Sequence, residues 1–434
     1  MSARNRELLG LIPVALLITT GFTAVVAVQG SEVNDLSLIF GGYFLAICFA
    51  THMVIRFRLP NADPYLFPLI ALLAAIGLVM IYRIDESLAR DQANWFVLGL
   101  VLFVVTITLV RDYQVLERYR YLIAMASLGL LLLPRLPGIG SQTNGAYLGV
   151  DIGPIAFQPA EFAKIGVVIF LASYLRDRRE VLVVGARCIA GITLPPLKHL
   201  GPLLVVWGAA MLMLVFIRDL GSSLMFFGAF LALIYIATDR ASFVVIGFVM
   251  FVAGAWFFAA TVGHVGERVD IWLDPYKDAN DAGFQVLQSM FAQADGGLFG
   301  RGIAESLLIQ PNNVPLIPEV QTDLIYALIV DELGLFGGAA VILTYGLIAA
   351  RGFKTATLAE DGFSKLLAAG LTAVFALQAF VIIGGVTRVI PLTGVTLPFV
   401  SYGGSSVVAN MVLLALLLLV SDRARRPRPE GVAA

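Results

Sequence analysis

The chain has 434 residues, 59% of them hydrophobic and 14% charged, with a mean hydropathy of +0.89; soluble domains carry about a quarter charged residues, so a soluble globular protein is excluded. A net charge of −1 hides an uneven distribution of charge along the chain and points to no nucleic-acid partner. Two cysteines and three scattered histidines offer neither a disulfide framework nor a zinc motif.

Apolar spans of about 17–25 residues are the unit of a helical membrane protein. Twelve are expected, at 8–28, 35–55, 65–82, 93–110, 119–134, 159–175, 200–217, 220–237, 241–262, 322–350, 365–387 and 403–421. The first follows Arg4 and Arg6 and lacks a small-residue cleavage site, so it reads as an anchor and not as a signal peptide. With the N-terminus in the cytoplasm, alternation places 20 of the 29 Lys and Arg on the cytoplasmic side and eight outside, with Lys164 inside a span. That bias obeys the positive-inside rule and also puts the C-terminus in the cytoplasm. The expected class is an all-α polytopic membrane protein. Residues 423–434, rich in Pro and Arg, read as a disordered basic tail near anionic lipid headgroups.

In chain order, the first intramembrane constellation is FQPAEFAKIGVVIF, after a Gly-rich outer loop. Glu161 and Lys164 stand at i and i+3, within pairing reach on one helix face. Charges at membrane depth pair with each other or face a cavity. Two compatible readings follow: a structural bridge, or a cation that meets an anionic lipid headgroup. In IRDLGSS, Arg218 and Asp219 read as a local ion pair at a tight turn.

The hydrophobic pattern lapses from Gly263 to Asp323, where nine acidic residues gather: Glu267, Asp270, Asp274, Asp278, Asp281, Asp295, Glu305, Glu319 and Asp323. A loop this long in a compact protein is functional or disordered, and its aliphatic and aromatic content argues against disorder. Phe284, Leu287 and Phe291 recur at helical spacing, which predicts an amphipathic helix resting on the membrane surface. Asp278, ahead of that helix, would sit at the membrane boundary, where partial desolvation raises a carboxylate toward the range of a general base. In the last outer loop, Pro391, Gly394, Pro398, Gly403 and Gly404 preclude a continuous helix. Irregular backbone at membrane depth lines a cavity or is buried in protein, with Ser401, Ser405 and Ser406 as hydroxyl donors.

Five separated motifs carry a resemblance: NGA at 144–146 with FQPAEFAK at 157–164; DLGSS at 219–223; DPYKDANDAGFQVLQS at 274–289; GGLFGRG followed by TDLIYALIVDELG; and PLTGVTLPFVSYGGSS at 391–406. In this order they resemble the SEDS (shape, elongation, division and sporulation) family, which includes RodA and FtsW. The two N-terminal spans and the GGVTRVIPLTG wording are similar to its actinobacterial RodA-like branch.

The resemblance implies a SEDS fold at residues 61–422, with a ten-helix core, a large extracytoplasmic loop at 263–321 and a two-helix N-terminal addition at 1–60. It implies a peptidoglycan glycosyltransferase that polymerises lipid II into β-1,4 glycan strands, in cell elongation and shape. The partners it implies are a class B penicillin-binding protein transpeptidase, undecaprenyl-linked glycan and membrane lipids. The second aspartate of the family's DP-x-x-D pattern falls on Asp278, as the base of an inverting transfer. Substrate contacts are expected from Glu161, Lys164, Arg268, Gln285, Gln288, Ser289, Thr322, Asp323, Ser401, Gly403 and Gly404. Lys164, Arg268 or a bound divalent cation, Mg or Mn, would offset charge on the departing pyrophosphate. This sequence departs from the family pattern at Tyr147-Leu148-Gly149, Ala279, Ile382 and Arg388. The rival readings are a lipid II flippase or other transporter, which would show inverted repeats that the sequence lacks, and a scaffold for a partner synthase.

Overall fold

The computed structural model describes residues 2–28, 35–110, 112–143, 146–152, 155–183, 187–189, 192–194, 208–209, 219–281, 283–309 and 315–427. The first helices are α1 (Ala3–Val28), α2 (Asp35–Arg58), α3 (Leu66–Ile84) and α4 (Glu86–Leu109). A one-turn α5 (Val115–Arg118) leads into α6 (Arg120–Leu132), and α7 (Pro159–Val183) follows after a small sheet. The second half holds α8 (Leu220–Thr238), α9 (Ala241–Thr261), α10 (Gly263–Leu273) and α11 (Phe284–Asp295). It closes with α12 (Ile325–Leu358), α13 (Gly362–Val386) and α14 (Gly404–Ala424).

Among the described residues, nine helices are long and apolar enough to cross a membrane: α1–α4, α8, α9 and α12–α14. The chain is a multi-pass membrane protein. The expected spans at 119–134 and 159–175 are helical as α6 and α7. With 13 residues, α6 reaches only about 20 Å, and the second half of α7 carries the charged run Arg176–Glu180. The expected span at 200–217 falls almost wholly outside the described residues, so a count of twelve is not established.

Three of the long helices start on an aspartate cap. Asp85 accepts from the amides of Ser87 and Leu88 at α4, Asp219 from Ser222 at α8, and Asp361 from Ser364 at α13. Asp219 is thus a cap, while its expected partner Arg218 lies outside the described residues. The Gly-rich outer loop is more ordered than its composition suggests. β1 (Gly140–Thr143), β2 (Ala146–Ile152) and β3 (Ile155–Phe157) form an antiparallel sheet, with Val150 opposite both Gly140 and Phe157. A two-stranded ribbon, β4 (Arg187–Ile189) with β5 (Ile192–Leu194), follows α7.

The buried centre is built from α3, α8, α13 and α14, with α4 packed on α14 and α1 on α3. At Gly77 of α3 an added Cβ would lie 2.5 Å from the Phe399 carbonyl and 2.6 Å from that of Val400, so only glycine lets the last outer loop come this close. By contrast, α9 turns Phe248, Val249, Trp256 and Phe257 outward, which is harmless in lipid because acyl tails are as apolar as these side chains.

Gly334, at φ 71° and ψ −173°, breaks α12 near its N-terminal end. The GGLFGRG segment satisfies the freed backbone. Arg301 and Gly302 amides donate to the Asp331 and Glu332 carbonyls at 2.9 and 3.1 Å, and the Leu335 amide donates back to Gly297 at 2.9 Å. Irregular backbone at this depth is paired rather than exposed, as lipid requires.

At the end of the bundle where the two termini meet, the buried carboxylate of Asp63 pairs with Arg351 and Arg425, at 2.5 and 2.8 Å, and Asp422 pairs with Arg426 at 3.0 Å. The described residues run on to 427, into the stretch expected as a tail. Arg425 and Arg426 are clamped to the body by buried carboxylates, and residues 428–434 lie outside the described residues. The N-terminal addition docks here too: Arg4 pairs with Glu7 and donates to the Ala62 carbonyl, and Glu7 meets His52 at 2.8 Å.

Candidate active site

The stretch that lacks transmembrane hydrophobicity folds into α10, a 3-10 turn (Pro275–Asp278) and α11. Asp274 caps that turn through the Tyr276 amide at 3.2 Å, with Pro275 at its first position. The Asp278 carbonyl accepts the Gly283 amide at 3.0 Å. A Cβ on Gly283 would lie 2.2 Å from the Pro275 carbonyl, so the tight return ahead of α11 requires glycine there.

α11 is amphipathic, but its buried face is Val286, Leu287, Ser289 and Ala292, packed on α12. Phe284 is half-buried and Phe291 is exposed. The expected helix therefore exists, and its apolar stripe is directed mainly at the protein.

A cavity of about 460 Å³ opens between this loop and the last outer loop. Its walls are Glu267, Arg268, Ile271 and Trp272 of α10; Asp281, Phe284, Gln285 and Val286; Pro318, Glu319 and Asp323; and Gly385, Arg388, Ile390, Leu392 and Gly394. Arg268 donates to the Leu392 carbonyl at 3.0 Å. Trp272 Nε1 donates to the Arg388 carbonyl at 2.9 Å, and Arg388 Nη2 returns a bond to the Trp272 carbonyl at 2.7 Å. Gln293 Nε2 donates to the Val386 carbonyl at 3.0 Å. These bonds fasten α10 and α11 to the end of α13.

Of the expected contact residues, Arg268, Gln285 and Asp323 reach this cavity. Asp323 is half-buried and shares its turn with Glu319, whose carbonyl accepts the Thr322 and Asp323 amides, both at 3.1 Å. A Cβ on Gly394 would sit 3.4 Å from Asp323 Oδ2 and 4.0 Å from both terminal nitrogens of Arg268. Burial, with the Glu319 carboxylate adding to it, pushes the Asp323 carboxyl up to about 7, and Arg268 pulls the other way.

Asp278 stands elsewhere: it is exposed on the 3-10 turn and is not part of the cavity wall. The expected desolvated setting belongs to Asp323, because the turn carries Asp278 outward while the chain entering α12 lies against α10.

Glu161 and Lys164 also depart from a cavity role. Lys164 is fully buried and gives its three donors to Glu161, Gln378 and Asn410 at 2.5, 2.6 and 3.1 Å. Gln378 Nε2 donates to Glu161 Oε1 at 3.2 Å and to the Thr396 carbonyl at 3.0 Å. With every ammonium proton engaged, Lys164 has none to offer a headgroup. The pair is the polar rivet of α7, α13 and α14, as the bridge reading expects.

The remaining candidates are structural in their contacts. Ser289 is buried and accepts from Gln293 at 3.2 Å, while Gln288 is half-buried outside the cavity wall. Ser401 donates to the Thr322 carbonyl and accepts the Leu397 amide at 2.9 Å. The Gly403 amide bonds Gln92 at 3.1 Å, and Gly404 lies under the Trp95 ring. Thr322 itself donates to Glu319. Sequence reasoning missed Gln92, Gln378 and Asn410; the last two are lone amides in apolar runs, a signal of a buried partner, whereas Gln92 stands among Arg90, Asp91 and Asn94 and carries no such signal.

The model of the FtsW/RodA/SpoVE family, described as "Cell cycle protein", matches residues 64–426. The chain belongs to this family. It is 40% identical over 439 residues to the peptidoglycan glycosyltransferase RodA of Mycobacterium tuberculosis, covering 98% of this chain and 92% of the relative. Among solved structures, one described as "Structural coordination of polymerization and crosslinking by a peptidoglycan synthase complex" superposes with a TM-score of 0.66 at 27% identity, over 84% of this chain and 99% of the other. The rod shape determining protein RodA of Thermus thermophilus shares the fold, with a TM-score of 0.58 at 24% identity over 85% and 98%.

Proposed function

We propose that this peptidoglycan glycosyltransferase polymerises lipid II in the cavity between the α9–α12 loop and the α13–α14 loop, on the outer face of the cytoplasmic membrane. Both termini are then cytoplasmic, in keeping with the Lys and Arg bias. The observation that carries the reading is the meeting of Arg268, Asp323 and Gln285 in one cavity beside the DP-x-x-D turn. A cation for a pyrophosphate and polar groups for sugar lie above a bundle whose sides face lipid.

In the reaction, the acceptor hydroxyl gives its proton to Asp278 as its oxygen attacks the anomeric carbon, and the bond to the lipid pyrophosphate breaks. A single displacement inverts an α-linked donor to a β-1,4 linkage without a covalent intermediate. Asp278 sits on an exposed turn tethered by α10 and α11, so it meets substrate from above the cavity. Arg268 offsets the charge of the leaving group. Among the described residues no three His, Cys, Asp or Glu side chains form a metal-holding group, and no step is routed through a metal ion.

A class B penicillin-binding protein transpeptidase is the partner this reading takes. The broken α12 exposes Leu335 and Phe336 beside the large loop and Leu343 and Leu347 farther along the helix, a face suited to a single transmembrane helix. Purified chain, partner and labelled lipid II, with glycan strands resolved on a gel, test the reading. Asp278→Ala that still co-purifies with the partner should make no polymer; full polymer yield from it would refute the assignment, and lipid translocation without polymer would favour a transporter.

A further inference from the structure

We propose that Asp323 is a second catalytic carboxyl of this reaction, donating a hydrogen bond in its acid form to the pyrophosphate that leaves the donor sugar. The inference rests on the reading of the outer cavity as the transfer site. That cavity must admit a pyrophosphate, yet four carboxyl side chains line it against the guanidiniums of Arg268 and Arg388. With every carboxyl ionised, the wall would carry net negative charge and repel the leaving group. Glu319 and Asp323 can relieve this, because they share one turn and like charges held together favour protonation of one member.

The groups facing Asp323 are Glu319 and Thr322 from its own turn, Arg268 from α10 and the Gly394 backbone from the last outer loop. Glu267, Asp281 and Arg388 complete the charged wall. Gly394 holds φ at +72°, and its missing side chain leaves space between Asp323 and Arg268. A phosphate oxygen placed there would meet a carboxyl O–H on one side and a guanidinium on the other. Burial holds the Asp323 carboxyl near 7, so the acid form is present at neutral pH.

In the step, the acceptor oxygen bonds to the anomeric carbon and its proton passes to Asp278, while the bond from that carbon to the pyrophosphate oxygen breaks with its electron pair on the pyrophosphate. The Asp323 O–H stays on Asp323 and only strengthens its hydrogen bond as charge develops. Ionised Asp323 would repel that charge, which predicts a rate that falls on the alkaline side.

The test is the initial rate of glycan polymerisation from lipid II by the full chain with its transpeptidase partner, from about pH 6 to about pH 9. Asp323→Ala should lose about a hundredfold. Asp323→Asn, which keeps an N–H donor and cannot ionise, should recover most of that loss and show no alkaline fall. Glu319→Gln, by removing a like charge, should move the fall to lower pH. An unchanged alkaline fall in the Asn variant, a wild-type rate in the Ala variant, or an Asn variant as slow as Ala while still bound to the partner would each overturn the inference. The two readings fail separately. An active Asp278→Ala removes the base assignment alone, whereas an inactive one beside an unchanged fall in Asp323→Asn removes this inference alone.

Discussion

Trp272 and Arg388 exchange hydrogen bonds across the mouth of the outer cavity: indole to carbonyl at 2.9 Å, guanidinium to carbonyl at 2.7 Å. Arg388 has a left-handed backbone, φ 58°. The side chain thus adds a clamp at a position whose conformation glycine would adopt without strain.

Arg388→Gly should therefore relieve backbone strain while removing the guanidinium bonds to the Trp272 and Leu273 carbonyls, the indole bond to the carbonyl of residue 388 remaining. Hydrogen bonds from a charged group contribute about 1.5–3 kcal/mol each, so the net change in stability should be a modest loss. Polymerisation should fall more than thermal stability does. Equal falls in rate and melting temperature would show that the clamp serves the fold alone.

Lys164 gives a sharper contrast. Removing one partner of a buried ion pair costs about 3–5 kcal/mol, whereas replacing both is often neutral. Lys164→Met should abolish folded yield, and Lys164→Met with Glu161→Gln should restore much of it, read by size-exclusion profile and melting temperature in detergent. A well-folded single variant would contradict the rivet.

Gly77→Ala forces a methyl against two backbone carbonyls. Neither can rotate away as a side chain would, so the cost should exceed the about 1–3 kcal/mol of ordinary overpacking. Gly346→Ala, where nothing lies within 4 Å, is the control. The pair can be compared by melting temperature.

The Asp323 carboxyl also predicts a trend in stability. Its value of about 7 in the fold stands above the ordinary 3.8, so the folded state holds a proton that the unfolded chain has released. Below 3.8 both states are protonated and no penalty exists; as pH rises from there to about 7, the unfolded state gains. The melting temperature should decline across that window, and Asp323→Asn should flatten the decline.

Membrane class, the positions of most helices and the five motifs were legible in the sequence, because hydropathy, Gly and Pro placement and charge are local properties that lipid reads directly. The outer loop's importance was legible for the same reason. Distances between segments were not. Lys164 was one charge in an apolar span until Gln378 and Asn410, more than 200 residues away, closed its donor set. Asp278 and Asp323 were two of nine loop acids, told apart by resemblance alone, until the turn carried one outward and the entry to α12 set the other against Arg268. Local chemistry fixes what each segment can be. Only packing, through burial and the neighbours it imposes, decides which charge is buried as structure and which faces a cavity where chemistry can occur.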